Sequence, residues 1–354
     1  TRFASFLAAL LFALATTPLV IAALRWVQLM DIPNERSSHV KATVRGAGWG
    51  LLFGVLAGWF SSQVGGPTLW WMPVAAVLYG LVGFVDDLRS LPSSIRFGLQ
   101  IVVASAAVGI AQQSSVVDLP LVVLPIAVFV IVAYVNAFNF MDGVNAISGL
   151  QAAVVGGIIA AAGVDVGSLE VQIGGLAIAG AALGFLPFNA IRARCFLGDV
   201  GSYFIGAWIA MLCIVVYDRG ASPVFIGSVM AVYAADTGFT LVRRLRRGDQ
   251  WWTPHREHVY QRLTDAGLSH VSSASLVALF TAVSGLLGLL ANNEGWLTQL
   301  AVGVAVLIVC GIYLALPRFA HHRHAPAARD CAQPLATRAA FQGDSAVSLG
   351  SGTD

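Results

Sequence analysis

The chain has 354 residues, of which 57% are hydrophobic and only 11% charged, with a mean hydropathy of +0.78. A water-soluble domain carries roughly a quarter charged residues, so that class is excluded, and a formal charge of +2 argues against nucleic acid as the main partner. Four scattered cysteines make no disulfide framework, and Cys195, Cys213 and Cys310, in or beside apolar runs, read as packing residues.

A hydrocarbon core needs about 20 largely apolar residues per helix, and at that length the sequence predicts eleven membrane spans. In chain order they are Phe3–Leu24, Trp49–Val64, Leu69–Val85, Phe97–Ala111, Leu119–Tyr134 and Ile147–Gly163. Val171–Phe188, Ser202–Tyr217, Pro223–Leu241, Val271–Ala291 and Trp296–Pro317 follow. The expected fold is therefore all-α and polytopic, with residues 1–317 as one membrane domain and 318–354 as a disordered tail rich in Ala, His, Gly and Ser. With eleven spans, every Lys and Arg except Arg2 and Arg219 falls on one side. That asymmetry places the N-terminus outside and the C-terminus in the cytoplasm. The inner loops 25–48, 86–96, 136–146, 190–201 and 243–270 then hold nearly all the chemically capable side chains.

Asp86 and Asp87 close the third span in GFVDDLRSL. Two carboxylates at a helix C-terminus oppose each other and the helix dipole, so a divalent cation or a nearby Arg must compensate them. NAFNFMDGVN sets Asn136, Asn139, Asp142 and Asn145 at three-residue steps, so neighbours share a helix face until Gly143 breaks the helix. These groups offer hard oxygen ligands and polar hydrogen bonds. In FLGDVGSY, Gly198 and Gly201 flank Asp199 ahead of the eighth span, a pattern that alone reads as a helix cap. The first inner loop adds Ser37, His39, Lys41, Thr43 and Arg45 before a Gly-rich helix start. The last inner loop carries an Arg run and His255 and His258 at i and i+3, suited to phosphate rather than zinc. Oxygen ligands, Arg and His at cytoplasmic helix ends suit Mg²⁺ shared with substrate phosphates, and phosphoryl transfer needs positioning and charge neutralisation above all.

SSH…RGAG, GFVDDLRSL, NAFNFMDGVN, FLGDVGS and HREHVYQRL, in this order over about residues 31–263, together resemble the polyprenyl-phosphate N-acetylhexosamine-1-phosphate transferases. The last block is closest to the bacterial branch that starts O-antigen and other surface glycans. The resemblance implies an inner-membrane enzyme with its active site on the cytoplasmic face. It would transfer a sugar 1-phosphate from a UDP-N-acetylhexosamine to undecaprenyl phosphate and release UMP, with Mg²⁺, or Mn²⁺ in its place, as cofactor. Membrane lipids are its surroundings, a homodimer is compatible with the resemblance, and no nucleic acid is expected. By position, Asp199 and Asn139 match metal-binding residues, with Asp86, Asp87 and Asp142 as the catalytic acids. Arg45, Arg96, Asn136, Asn145, His255 and His258 are the implied substrate contacts. Two departures stand out: ATVRGAG replaces PTPRGGG, and Asn145 stands where many bacterial members carry Asp. The rival class is a transporter or flippase of phosphorylated lipid or sugar. It calls for ionisable groups near mid-membrane, and only Asp236 is a candidate.

Overall fold

Inside a bilayer no water satisfies the backbone, so a long apolar run closes its own hydrogen bonds as a helix. The computed structural model describes residues 2–32, 42–62, 66, 68–190, 193–249 and 256–321. Its helices are α1 Arg2–Trp26, α2 Gly48–Phe60, α3 Thr68–Arg89, α4 Ser93–Gln113, α5 Leu124–Met141 and α6 Ile147–Asp165. They continue as α7 Leu169–Asn189, α8 Gly198–Asp218, α9 Pro223–Arg246, α10 Val259–Asp265, α11 His270–Leu290 and α12 Trp296–His321. Two short strands, β1 Met30–Asp31 and β2 Thr43–Val44, pair antiparallel with Met30 opposite Val44. Among the described residues ten helices are long and apolar enough to cross a membrane, so the protein is an all-α polytopic membrane protein.

The second expected span is a helix of 13 residues, about 20 Å long at 1.5 Å per residue and short of the hydrocarbon core. It is packed into the bundle against α1, α7 and α8, with Ser5 of α1 donating a hydrogen bond to the Gly58 carbonyl. The fifth span runs seven residues beyond its expected end at Tyr134, to Met141, because Asn136 and Asn139 find partners inside the bundle. The last helix continues past Pro317 to His321; membrane helices absorb such a proline when their neighbours hold them in place. The remainder of the predicted tail, 322–354, lies outside the described residues.

The core is organised on α8, in which every residue from Val200 to Val216 is buried. Packed around it are α3 and α5, with α2, α6, α7 and α9 completing the contacts. At one end of the bundle Arg219 pairs with Glu170 and Asp218, each at 3.1 Å, and donates to the Val116 carbonyl. The opposite end gathers the C-termini of α3 and α5 at the N-terminus of α8. The three described cysteines are free and buried.

Candidate active site at the head of the central helix

The short β1–β2 ribbon lies beside the chain that enters α8: Phe196 N–H donates to the Val44 carbonyl at 2.7 Å, and Gly48 N–H to the Leu197 carbonyl at 2.8 Å. Gly198 makes this approach feasible. It sits at φ +75, and a Cβ there would stand 2.7 Å from both Asp87 Oδ2 and the Gly46 backbone. Ala47, by contrast, has φ −71 and needs no glycine, which accounts for the tolerance of RGAG.

Around this junction the acids take separate partners. The Asp87 carboxylate, fully enclosed, accepts from the backbone N–H groups of Asp199 at 3.0 Å and Val200 at 3.1 Å, and from Arg45 Nε at 2.7 Å. A carboxylate facing the first N–H groups of a helix meets both its unsatisfied donors and the positive end of its dipole. Arg45 spans to a second acid, with Nη2 at 3.2 Å from Asp199 Oδ2. Burial works against the guanidinium charge, but Asp199 and then Asp87 more than offset it, holding Arg45 above its ordinary pKa. Asp86 turns the other way. It accepts from Arg96 Nη1 and Leu91 N–H, both at 2.8 Å, and from the Tyr203 hydroxyl at 3.2 Å. The two adjacent acids thus face different partners, Asp86 meeting Arg96 and Asp87 meeting Arg45 and the start of α8. Among the described residues no three His, Cys, Asp or Glu side chains come close enough to hold a metal.

Asn139 donates from Nδ2 to Asp199 Oδ1 at 2.8 Å and to Ser202 Oγ at 3.0 Å, joining α5 to the first turn of α8. Asn136, one turn earlier, leaves this cluster and donates to Gln100 Oε1 on α4 at 2.6 Å. Asp142 ends α5 as its C-cap and accepts from Ser148 Oγ at 2.6 Å. Asn145 is half-buried and makes no hydrogen bond among the described residues. The four polar groups therefore do not meet at one point: Asn139 joins Asp199, while Asp142 and Asn145 line the turn that follows.

Burial, opposed by the Ser148 hydroxyl and reinforced by the Asp87 charge, raises the Asp142 pKa to about 6. A carboxyl that holds its proton more tightly when folded loses stability as pH rises from its unfolded value, about 4, to its folded one. The fall should amount to at most roughly 3 kcal/mol and level off above that range. Melting curves in detergent from pH 4 upward should show this slope in the wild type and a flatter one in Asp142→Asn. Equal slopes would assign the proton to another group.

His258 is buried at 3% exposure at the N-cap of α10, with Nδ1 directed at Asp236 Oδ1, 3.0 Å away. The expected open phosphate contact is therefore not how this side chain is presented. His255, like Ser37, His39 and Lys41, lies outside the described residues. The arginines at the end of α9 converge on Glu257, which accepts from Arg243 at 2.9 Å, Arg244 at 3.2 Å and Arg247. Partial burial raises the Glu257 pKa, but Arg247, Arg243 and Arg244 bring it below the usual carboxylate value.

Several partners were not legible in the sequence. Tyr203, Ser202 and Ser148 lie in or beside the quoted motifs, and their hydroxyls could have been read as second partners for the acids. Gln100 sits in an apolar helix with no local signal, and its pairing with Asn136 is purely tertiary.

Residues 69–217 match glycosyl transferase family 4. The chain is 30% identical over 319 residues to the decaprenyl-phosphate N-acetylglucosaminephosphotransferase of Mycobacterium tuberculosis, covering 78% of each protein. It is 25% identical over 319 residues to a probable undecaprenyl-phosphate N-acetylglucosaminyl 1-phosphate transferase of Bacillus subtilis, covering 86% of this chain and 89% of that one. A phospho-N-acetylmuramoyl-pentapeptide-transferase of Clostridium botulinum is 27% identical over 180 residues, covering 46% of this chain and 54% of that one.

Proposed function

Since the chain belongs to glycosyl transferase family 4, we propose that it transfers an N-acetylhexosamine 1-phosphate from its UDP-sugar to undecaprenyl phosphate. An oxygen of the lipid phosphate forms a bond to the sugar-bearing phosphorus, and the bond from that phosphorus to the bridging oxygen breaks. UMP leaves with the electron pair, and the product is undecaprenyl-diphospho-sugar, the starting unit of a cell-envelope glycan such as O-antigen. The single observation that carries this reading is the cluster at the head of α8. There Asp199, in the first helical turn, is held by Asn139 on one oxygen and Arg45 on the other, beside the α3 acids.

The residues fit a divalent cation that arrives with substrate rather than a resident one. Asp199 is the most open of the three clustered acids, and the Asn139 amide oxygen makes no hydrogen bond among the described residues. Mg²⁺ is commonly bound by one or two carboxylates together with substrate phosphates and waters. Bound there, it would neutralise phosphate charge. Arg45, paired with Asp87 and Asp199 but 38% exposed, would present its open side to the same phosphates. Asp142 and Asn145 line the adjoining turn, where Asp142 can take up or hold a proton near neutral pH. The bias of Arg and Lys toward this side supports a cytoplasmic placement by the positive-inside rule, which suits a UDP-sugar donor.

The test is UMP release by the detergent-solubilised protein from a panel of UDP-N-acetylhexosamines, with and without undecaprenyl phosphate. Release is expected only with the lipid present, to be strongest with one donor, and to stop on addition of EDTA. Intact UDP-sugar under every condition would overturn the transferase reading in favour of a carrier. Release persisting in excess EDTA would remove the cation from the scheme.

A further inference from the structure

Asp236 is fully buried, ten residues before the end of α9, and takes no part in the cluster at the head of α8. Its carboxylate accepts from His258 Nδ1 at 3.0 Å, from Val259 N–H at 3.1 Å and from the Tyr313 hydroxyl of α12 at 2.7 Å. A carboxylate in an apolar interior is retained only where donors surround it, and here two of them belong to the start of α10. That seven-residue helix projects Tyr260, also fully buried, onto the end of α5. The Tyr260 hydroxyl donates to the Phe140 carbonyl at 3.1 Å. It also fills the space where a Cβ on Gly143 would stand, 2.2 Å from its oxygen, which explains the glycine in MDG. The His258 ring stacks at 5.9 Å on Tyr260 and at 6.3 Å on Phe140.

We propose that Asp236 is a positioning residue: through His258 and the start of α10 it presses Tyr260 onto the α5 end and sets the geometry of the turn that carries Asp142 and Asn145. The inference rests on the reading of that turn as part of the transferase site. Asn139 is tied to Asp199 independently of α10, so loss of the clamp should loosen the turn while leaving the head of α8 in place. Small misplacements of reacting groups cost rate steeply.

The test uses the full chain in detergent with Asp236→Asn, which keeps size but removes charge, with Tyr260→Phe, and with the double variant. Hydrogen exchange over 139–146 should rise in each single variant and no further in the double, while exchange near 166–170 at the other end stays unchanged. Turnover should fall by about tenfold or more, with donor KM moving less than about threefold and the double variant no worse than the poorer single one. Unchanged exchange over 139–146, additive losses, or a rise in exchange spread evenly over the bundle would each overturn the proposal. Should wild-type protein release no UMP from any donor, the transferase reading fails, and the exchange measurement still decides whether Asp236 sets this turn.

Discussion

Exchanging Asp199 for asparagine is expected to lower turnover by about 100-fold or more while leaving the fold intact. The substitution preserves size and one acceptor oxygen, so the bond from Asn139 Nδ2 can persist. Arg45 loses a partner at 3.2 Å but keeps Asp87 at 2.7 Å. The lost pair is partly open to solvent, so its contribution to stability is at most about 1 kcal/mol. The chemistry is expected to be affected far more, because Asp199 is the most open of the three clustered acids, its side chain 17% exposed against 3% for Asp86 and 0% for Asp87. On the proposed reading, a divalent cation arriving with the donor would lose the carboxylate that would hold it, and the positive charge it would bring to the phosphates would be held less well. Titrating UMP release with Mg²⁺ for both proteins checks this. Equal Mg²⁺ dependence in the variant would move the metal elsewhere.

A substitution at Asp87 should behave differently, because this acid supports the architecture as well as the charge balance. Asp87→Ala strands the N–H groups of Asp199 and Val200 at the start of α8 and removes the nearer partner of Arg45. Orphaned donors at a buried helix start cost about 1–3 kcal/mol, and the ionic share is discounted because Arg45 is 38% exposed. A loss of about 2–3 kcal/mol in total is expected, with a lowered melting temperature in detergent and turnover falling with it. Asp87→Asn, which retains one acceptor oxygen, should recover part of the stability. An alanine variant that melts like wild type yet is inactive would show that Asp87 acts in the chemistry alone.

Most of the helices were legible because membrane helices are dictated by local composition. An apolar stretch such as Ile147–Asp165 has to close its own backbone hydrogen bonds as a helix inside a bilayer. Misplaced ends occur where a polar residue leaves the apolar run. Asn136 and Asn139 fell beyond the expected end of the span because isolated amides are costly in hydrocarbon, yet Gln100 and Asp199 offset that cost inside the bundle. The same limit applies to the second span, whose hydropathy marks it as apolar but whose helix has only 13 residues and is packed against α1, α3, α7 and α8.

The motifs pointed to residues that the fold brings together at the head of α8, among them Arg45, Asp87, Asn139 and Asp199, because carboxylates, amides and arginines at the ends of apolar helices are chemically conspicuous in sequence. Residue roles were less accessible. Asp86 and Asp87 are neighbours in the chain but diverge, one toward Arg96 and Tyr203, the other toward Arg45 and α8. Arg96, implied as a phosphate contact, is occupied by Asp86, and His258 is turned inward to Asp236. By itself, then, the sequence determined the all-helical membrane fold, the family and the set of polar residues, because each follows from local hydropathy or from the order of short motifs. Only the tertiary structure decided which acid faces a guanidinium, which caps a helix and which stays open. Those outcomes depend on donors brought from 42, 112 and 154 residues away, and side-chain pairing over such separations leaves no trace in local sequence.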